Sequence, residues 1–161
     1  MNITKEWLKE KGACTSGYEW FVRNCDDGEN HETVIKKLID CNEYSDSIWL
    51  ITNILDKTNN VKLAIYSAES VLHIFEEHVK NDDRPRKAIE AAKEYLSNPN
   101  NAAADAAYTA SDAADAAARA ADAAAGATRA TARAAAYAAA AGSKNEVIDY
   151  GLKLIKDCLE E

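Results

Sequence analysis

The chain has 161 residues and a formal charge of −8, with 27 acidic against 19 basic side chains. It is long enough to bury a core without staples, and it lacks the basic face on which general nucleic-acid binding depends. Its hydrophobic fraction of 47 % is inflated by alanine, and its one long apolar run carries a charge every three or four residues, which excludes a membrane span.

The stretch from Met1 to Trp7 has no basic-then-apolar signal pattern, so the expected location is the cytoplasm. Cys14, Cys25, Cys41 and Cys158 form no CxxC pair and are expected as small buried groups. Cys25, His31 and Cys41 lack the fourth ligand and the spacing of a zinc site, and no metal or cofactor is expected.

The first hundred residues read as short helices. Thr4 is placed to cap a helix carrying Trp7 and Leu8, with Gly12 ending it. A second runs from about Thr15 through Trp20 and Phe21 to the loop 24–30. His31 or Glu32 opens a third, with Val34, Ile35, Leu38 and Ile39 on one side. Ser45 is placed to cap a fourth, rich in Ile48, Trp49, Ile51, Ile54 and Leu55, and the polar string from Asp56 to Asn60 ends it.

The best amphipathic pattern follows, from about Val61 to Val79, with Val61, Ala64, Ile65, Ala68, Leu72, Phe75 and Val79 three and four apart. Its other face carries Lys62, Tyr66, Glu69, His73, Glu76, Glu77 and Lys80. Glu69, His73 and Glu77 share one side, but a spacing of four on a hydrophilic face reads as solvated charge and not as a metal site. Asp83 caps the next helix, with Pro85 in the first turn, where a missing N–H costs nothing. Ala88, Ile89, Ala92 and Leu96 point inward, and Ser97 closes it. Arg84 and Arg86 have two open roles, pairing with neighbouring helix groups or contacting a ligand or partner.

From Ala102 to Ala141, 26 of 40 residues are alanine. Alanine loses no side-chain entropy on entering a helix, so this is helix sequence. Asp112, Asp115, Arg119, Asp122, Gly126, Arg129 and Arg133 form one stripe at alternating spacings of three and four. The stripe reads either as a solvated edge or as the lining of an internal groove. In the groove reading Arg129 and Arg133, free of acidic neighbours one turn on, hold an anion. The threonines lack the regular repeat of an ice-binding face, since Ala120 stands midway between Thr109 and Thr131.

As one rod these 40 residues would span about 60 Å, against a radius of gyration of about 15 Å for a compact domain of this size. A break is therefore expected at Thr109–Ser111, leaving Asp112–Ala141 as the long helix. Gly142 is expected to end it, and Ser143 with Glu146 to form a capping box for a last helix carrying Val147, Ile148, Leu152, Leu154, Ile155 and Leu159. The expected fold is all-α, a single-domain helical bundle over 1–161. Residues 1–97 form the main core, 98–142 the Ala-rich helical region, and 143–161 the C-terminal helix.

Leu72-His-Ile-Phe-Glu-Glu, Asp83-Arg-Pro-Arg-Lys-Ala-Ile-Glu-Ala-Ala92 and the Ala-rich region together resemble a family of alanine-rich immunity proteins of bacteria and phages. Trp20-Phe21 and Tyr150-Gly-Leu add to the likeness. The resemblance implies an all-helical protein of bacterial conflict that binds and neutralises something; it carries no catalytic residues to transfer. No Gly-rich phosphate loop or nucleophile–base pattern stands out, so an enzyme is not expected.

Two binding modes remain open. One is occlusion of a protein target, a toxin or a defence enzyme, by an acidic helical surface. The other is sequestration of a nucleotide-like phosphorylated signal between helices. There Arg119, Arg129 and Arg133 would hold phosphates, Tyr108 or Tyr137 would stack a base, and Arg84 or Arg86 would close the site. A structural role, with homo-oligomers formed through alanine faces, is the third reading.

Overall fold

The computed structural model describes residues 1–78, 83–97 and 131–160. The described elements are β1 (Asn2–Ile3), α1 (Lys5–Glu10), α2 (Thr15–Asn24), β2 (Glu29–Asn30), α3 (His31–Asp40), α4 (Tyr44–Ile54), α5 (Lys57–His78), α6 (Arg84–Ser97) and α7 (Thr131–Glu160). The protein is thus all-α apart from a two-residue antiparallel pairing, Asn2 with Asn30 and Ile3 with Glu29. Among the described residues no helix is long and apolar enough to cross a membrane. The chain forms two compact units, Met1–Asp56 with Leu152–Glu161, and Lys57–Gly151.

Local chemistry sets the helix ends in the first unit. The Thr4 hydroxyl accepts from the Trp7 N–H at 3.1 Å, and the Asp27 carboxylate accepts from the Lys5 N–H at 2.8 Å, so two of the orphan donors of α1 are satisfied. The helix closes in a Schellman motif: Ala13 N–H reaches the Leu8 carbonyl at 2.9 Å and Gly12 N–H reaches Lys9 at 3.1 Å. Gly12 holds the required positive φ of 74°. Replacing Thr4 by Ala is expected to lower stability by about 1 kcal/mol, read as a shift in the urea midpoint.

The motif recurs at the end of α3, with Asn42 at φ 62° in place of glycine. Glu43 N–H donates to Leu38 at 2.8 Å and Asn42 N–H to Ile39 at 2.9 Å. This corrects the expected cap at Ser45. Glu43, already pinned by that motif, is the residue before α4, and it supplies no side-chain cap. Ser45 falls inside the first turn.

The core of this unit holds Ile3, Leu8, Phe21, Val34, Ile35, Leu38, Leu50, Ile51 and Leu55, joined by Leu154 and Ile155 from the end of α7. Leu159 was expected with them but is 56 % exposed in the last turn. The cysteines depart from expectation too: Cys14, Cys41 and Cys158 are exposed and Cys25 is half-buried. Cys14, Cys25 and Cys41 are helix-boundary residues, which lie off the packed faces.

In the second unit α5 begins at Lys57, so the polar string expected to be a loop is its first turn. Asp56, a favoured residue immediately before a helix, allows this start. Ile65 packs with Ile89 and Ala92 of α6, flanked by Val61, Ala68, Leu72 and Leu96. Ala64, expected inward, is exposed. Two ion pairs fix the hairpin: Glu69 with Lys93 at 2.6 Å and Glu76 with Arg86 at 2.7 Å. Glu76 lies two turns beyond Glu69 while Arg86 lies two turns before Lys93, which makes α5 and α6 antiparallel.

Helix α7 runs unbroken through Gly142 and Ser143, which corrects the expected stop and capping box. A glycine inside a helix costs about 1 kcal/mol relative to alanine. That is less than the cost of ending one helix and nucleating another beside it. Ile148 is fully buried. Tyr150 stacks on Tyr66 with ring centroids 4.3 Å apart and planes 16° from parallel, so Tyr66 is not on a solvated face as its spacing implied. The break expected at Thr109–Ser111 and the long helix from Asp112 as far as residue 130 lie outside the described residues.

Candidate functional site

The arginine and tyrosine candidates divide by location. Tyr108, Arg119 and Arg129 lie outside the described residues. Arg133 and Tyr137 belong to α7. Arg86 is engaged: its Nε and Nη2 donate to the Glu76 carboxylate at 3.0, 2.7 and 2.8 Å. The fork closes Arg86 onto α5, and at this exposure it contributes less than about 1 kcal/mol. Arg84, on the first turn of α6, is exposed. His73 and Glu77 of α5 and Glu90 and Glu94 of α6 are also exposed, and with six cations against five carboxylates over the two helices the hairpin is close to neutral.

A second feature, which sequence reasoning missed, is a cleft of about 290 Å³ in the first unit. Its inner wall is buried and apolar: Leu8, Phe21, Val34, Leu38 and Leu50. Half-buried Trp20, Trp49 and Asp46 come next, and the exposed Cys14 and Ser45 lie toward the mouth. Trp49 is held by an edge-on contact with Trp7, centroids 6.4 Å apart and planes at 75°. The sequence offers Leu8, Trp20, Phe21, Val34, Leu38 and Trp49 as apolar helix residues and Ser45 as a cap, and it singles out neither Leu50 nor Asp46; the signal for a site is the meeting of α2 with α4. Beside Gly17, a Cβ would stand 3.3 Å from Cys14 Sγ and 3.4 Å from Asp46 Oδ2, so the glycine admits both groups.

The two thiols at the ends of α2 are tuned in opposite directions. Cys14 Sγ lies 3.3 Å from the Ser16 hydroxyl and accepts from the Gly17 N–H at 3.4 Å. These hydrogen bonds lower its pKa below 9.0, against a smaller opposing effect of burial and of Asp46. Cys25 is pushed up to about 11, chiefly by burial and then by the Glu29 carboxylate. Glu29 is itself clasped by Lys37, whose Nζ also donates to the Asn24 carbonyl at 2.9 Å. The hydrogen bond from Lys37 Nζ to the Glu29 carboxylate holds that carboxyl below its ordinary range.

Alkylation by iodoacetamide, mapped by mass spectrometry across pH, is therefore expected to label Cys14 well before Cys25. Raising the pH through 9 brings Cys14 to full reactivity because its thiolate is favoured in the fold, while Cys25 stays protonated until about pH 11. Equal rates at pH 8 would contradict these environments.

Comparison with known families divides the chain near the same point as its packing. Residues 1–58 match the family model described as YdhT N-terminal domain, and residues 51–158 match the one described as Imm-5 like putative immunity protein. The two compact units change over between Asp56 and Lys57, within the overlap of these matches. No curated protein and no solved structure matches the chain.

Proposed function

Because the chain belongs to the Imm-5 like family of immunity proteins, whose model spans more than half of it, we propose that it neutralises a toxin or a defence component by binding it, without catalysis. The family match is the observation that carries this reading. It covers α5, α6 and most of α7, so the second unit is where the target contact is assigned.

Physical features of that unit support the assignment. The α5–α6 hairpin is a pre-formed surface, braced by two cross-helix ion pairs and by the Tyr66–Tyr150 stack, so little ordering entropy opposes binding. The net charge of −8 belongs to the chain as a whole and favours a basic target, while α5 and α6 themselves carry six cations against five carboxylates.

Sequestration of a small phosphorylated molecule has less support. Of the arginines assigned to it, Arg86 already directs its Nε and Nη2 to Glu76.

The test is co-expression with a panel of bacterial toxin domains, scored by growth, followed by native mass spectrometry of the purified protein. Rescue from one toxin class, with a stoichiometric complex of that toxin and this chain, is the expected result. A retained small anion, released on denaturation, without rescue by any toxin would overturn the protein-target reading in favour of sequestration.

A further inference from the structure

The cleft of the first unit lies in a stretch that the immunity-family match does not cover, and its chemistry is specific enough to define an occupant. We infer that it receives a single arginine side chain presented by a partner polypeptide, with Asp46 taking the guanidinium and the indoles of Trp20 and Trp49 beside its plane. This site is additional to the target surface assigned to the second unit.

Three observations converge. The first is size: about 290 Å³ is at the small end of ligand cavities, room for one side chain and too little for a dinucleotide. The second is the lining, in which a buried aliphatic wall suits the methylene stem and two half-buried indoles suit a flat, weakly hydrated cation.

The third is charge. Among the described residues no lysine or arginine lines the cleft, and Asp46 is the one formally charged side chain there. The Asp46 carboxylate makes no hydrogen bond or ion pair with another described residue, and its charge opposes a thiolate on Cys14. A half-buried carboxylate that lines one cleft with a thiol and two indoles is electrostatically incomplete, and a guanidinium completes it with two parallel N–H donors. A lysine ammonium lacks that planar match.

Asp46 also sits in the first turn of α4, where a negative charge favours the helix dipole by a small amount. The experiment must separate that structural role from ligand binding. The indole N–H signals of the protein are followed by NMR during titration with the blocked peptide acetyl-Gly-Arg-Gly-amide. The same peptide carrying citrulline, neutral but equal in shape, is the control.

Saturable movement of the Trp20 and Trp49 signals by the arginine peptide is expected, with affinity for the citrulline peptide weaker by about tenfold or more. Asp46→Asn should abolish that preference while leaving the unfolding midpoint nearly unchanged. Gly17→Ala, which sets a methyl against Cys14 Sγ and Asp46 Oδ2 on a residue inside a helix, gives a second route and is expected to weaken the arginine peptide without unfolding the chain.

Equal affinity for the two peptides, no movement with either, or an arginine preference that survives both substitutions would overturn the proposal. None of these outcomes bears on rescue from a toxin, so the two readings fail separately.

Discussion

Replacing Ile35 by alanine is expected to destabilise the first unit by about 3 kcal/mol, within the range for removing a fully buried aliphatic side chain. Ile35 is 0 % exposed, and its helix contributes Val34 and Leu38 to the same core. Truncation therefore leaves a cavity that close-packed neighbours fill only in part. Trp7, Trp20 and Trp49 are all the tryptophans in the sequence, and all lie in the first unit. Indole fluorescence during urea unfolding therefore reports on that unit alone. Val22→Ala is the control, since Val22 is 44 % exposed and its truncation is expected to cost less than about 0.5 kcal/mol. Equal midpoints for the two variants would mean that Ile35 is not held in a packed core.

The second large effect concerns Gly142, where two local structures predict opposite signs. Inside the continuous helix α7, Gly142→Pro removes one backbone hydrogen bond and drives the ring against the carbonyl one turn earlier, at a cost of about 3 kcal/mol or more. Gly142→Ala in the same helix should stabilise by up to about 1 kcal/mol. Had the helix ended at this glycine, alanine would be strained in the left-handed region and proline just beyond the end would be tolerated. Far-UV circular dichroism melts of both variants decide the matter: the unbroken helix requires alanine to raise the midpoint and proline to lower it together with the helical signal. The reverse order would place a helix end at Gly142.

Physics confined to a few neighbouring residues made much of the fold legible. The Thr4 cap, the Gly12 stop, the entry of α6 at Asp83-Arg-Pro85 and the Ile65–Ile89–Ala92 seam all follow from groups within one or two turns or from a 3.6-residue period. The failures lie where two local signals compete. Ser45 is as good a cap as its neighbours, but the Schellman motif at Asn42 takes Glu43 first. Gly142 reads as a stop only if the cost of one glycine exceeds that of a second nucleation.

Candidate sites were less legible than the fold. Arg86 was visible as a cation near an acidic helix, and its pairing with Glu76 follows once α5 and α6 are antiparallel. Asp46 carried no signal at all, because a carboxylate in the first turn of a helix is ordinary until another helix comes within reach.

The sequence by itself determined an all-α protein of acidic charge and most of its helix boundaries, because helix formation depends on propensity, caps and periodicity within a few residues. Its resemblance to immunity proteins was likewise carried by contiguous strings. Only the tertiary structure decided that Tyr66 stacks on Tyr150, and that Asp46 meets Cys14 and Gly17 beside two indoles. Those contacts join residues far apart in the chain. Their distances are set by how packed side chains hold one helix against another, a quantity that no local pattern contains.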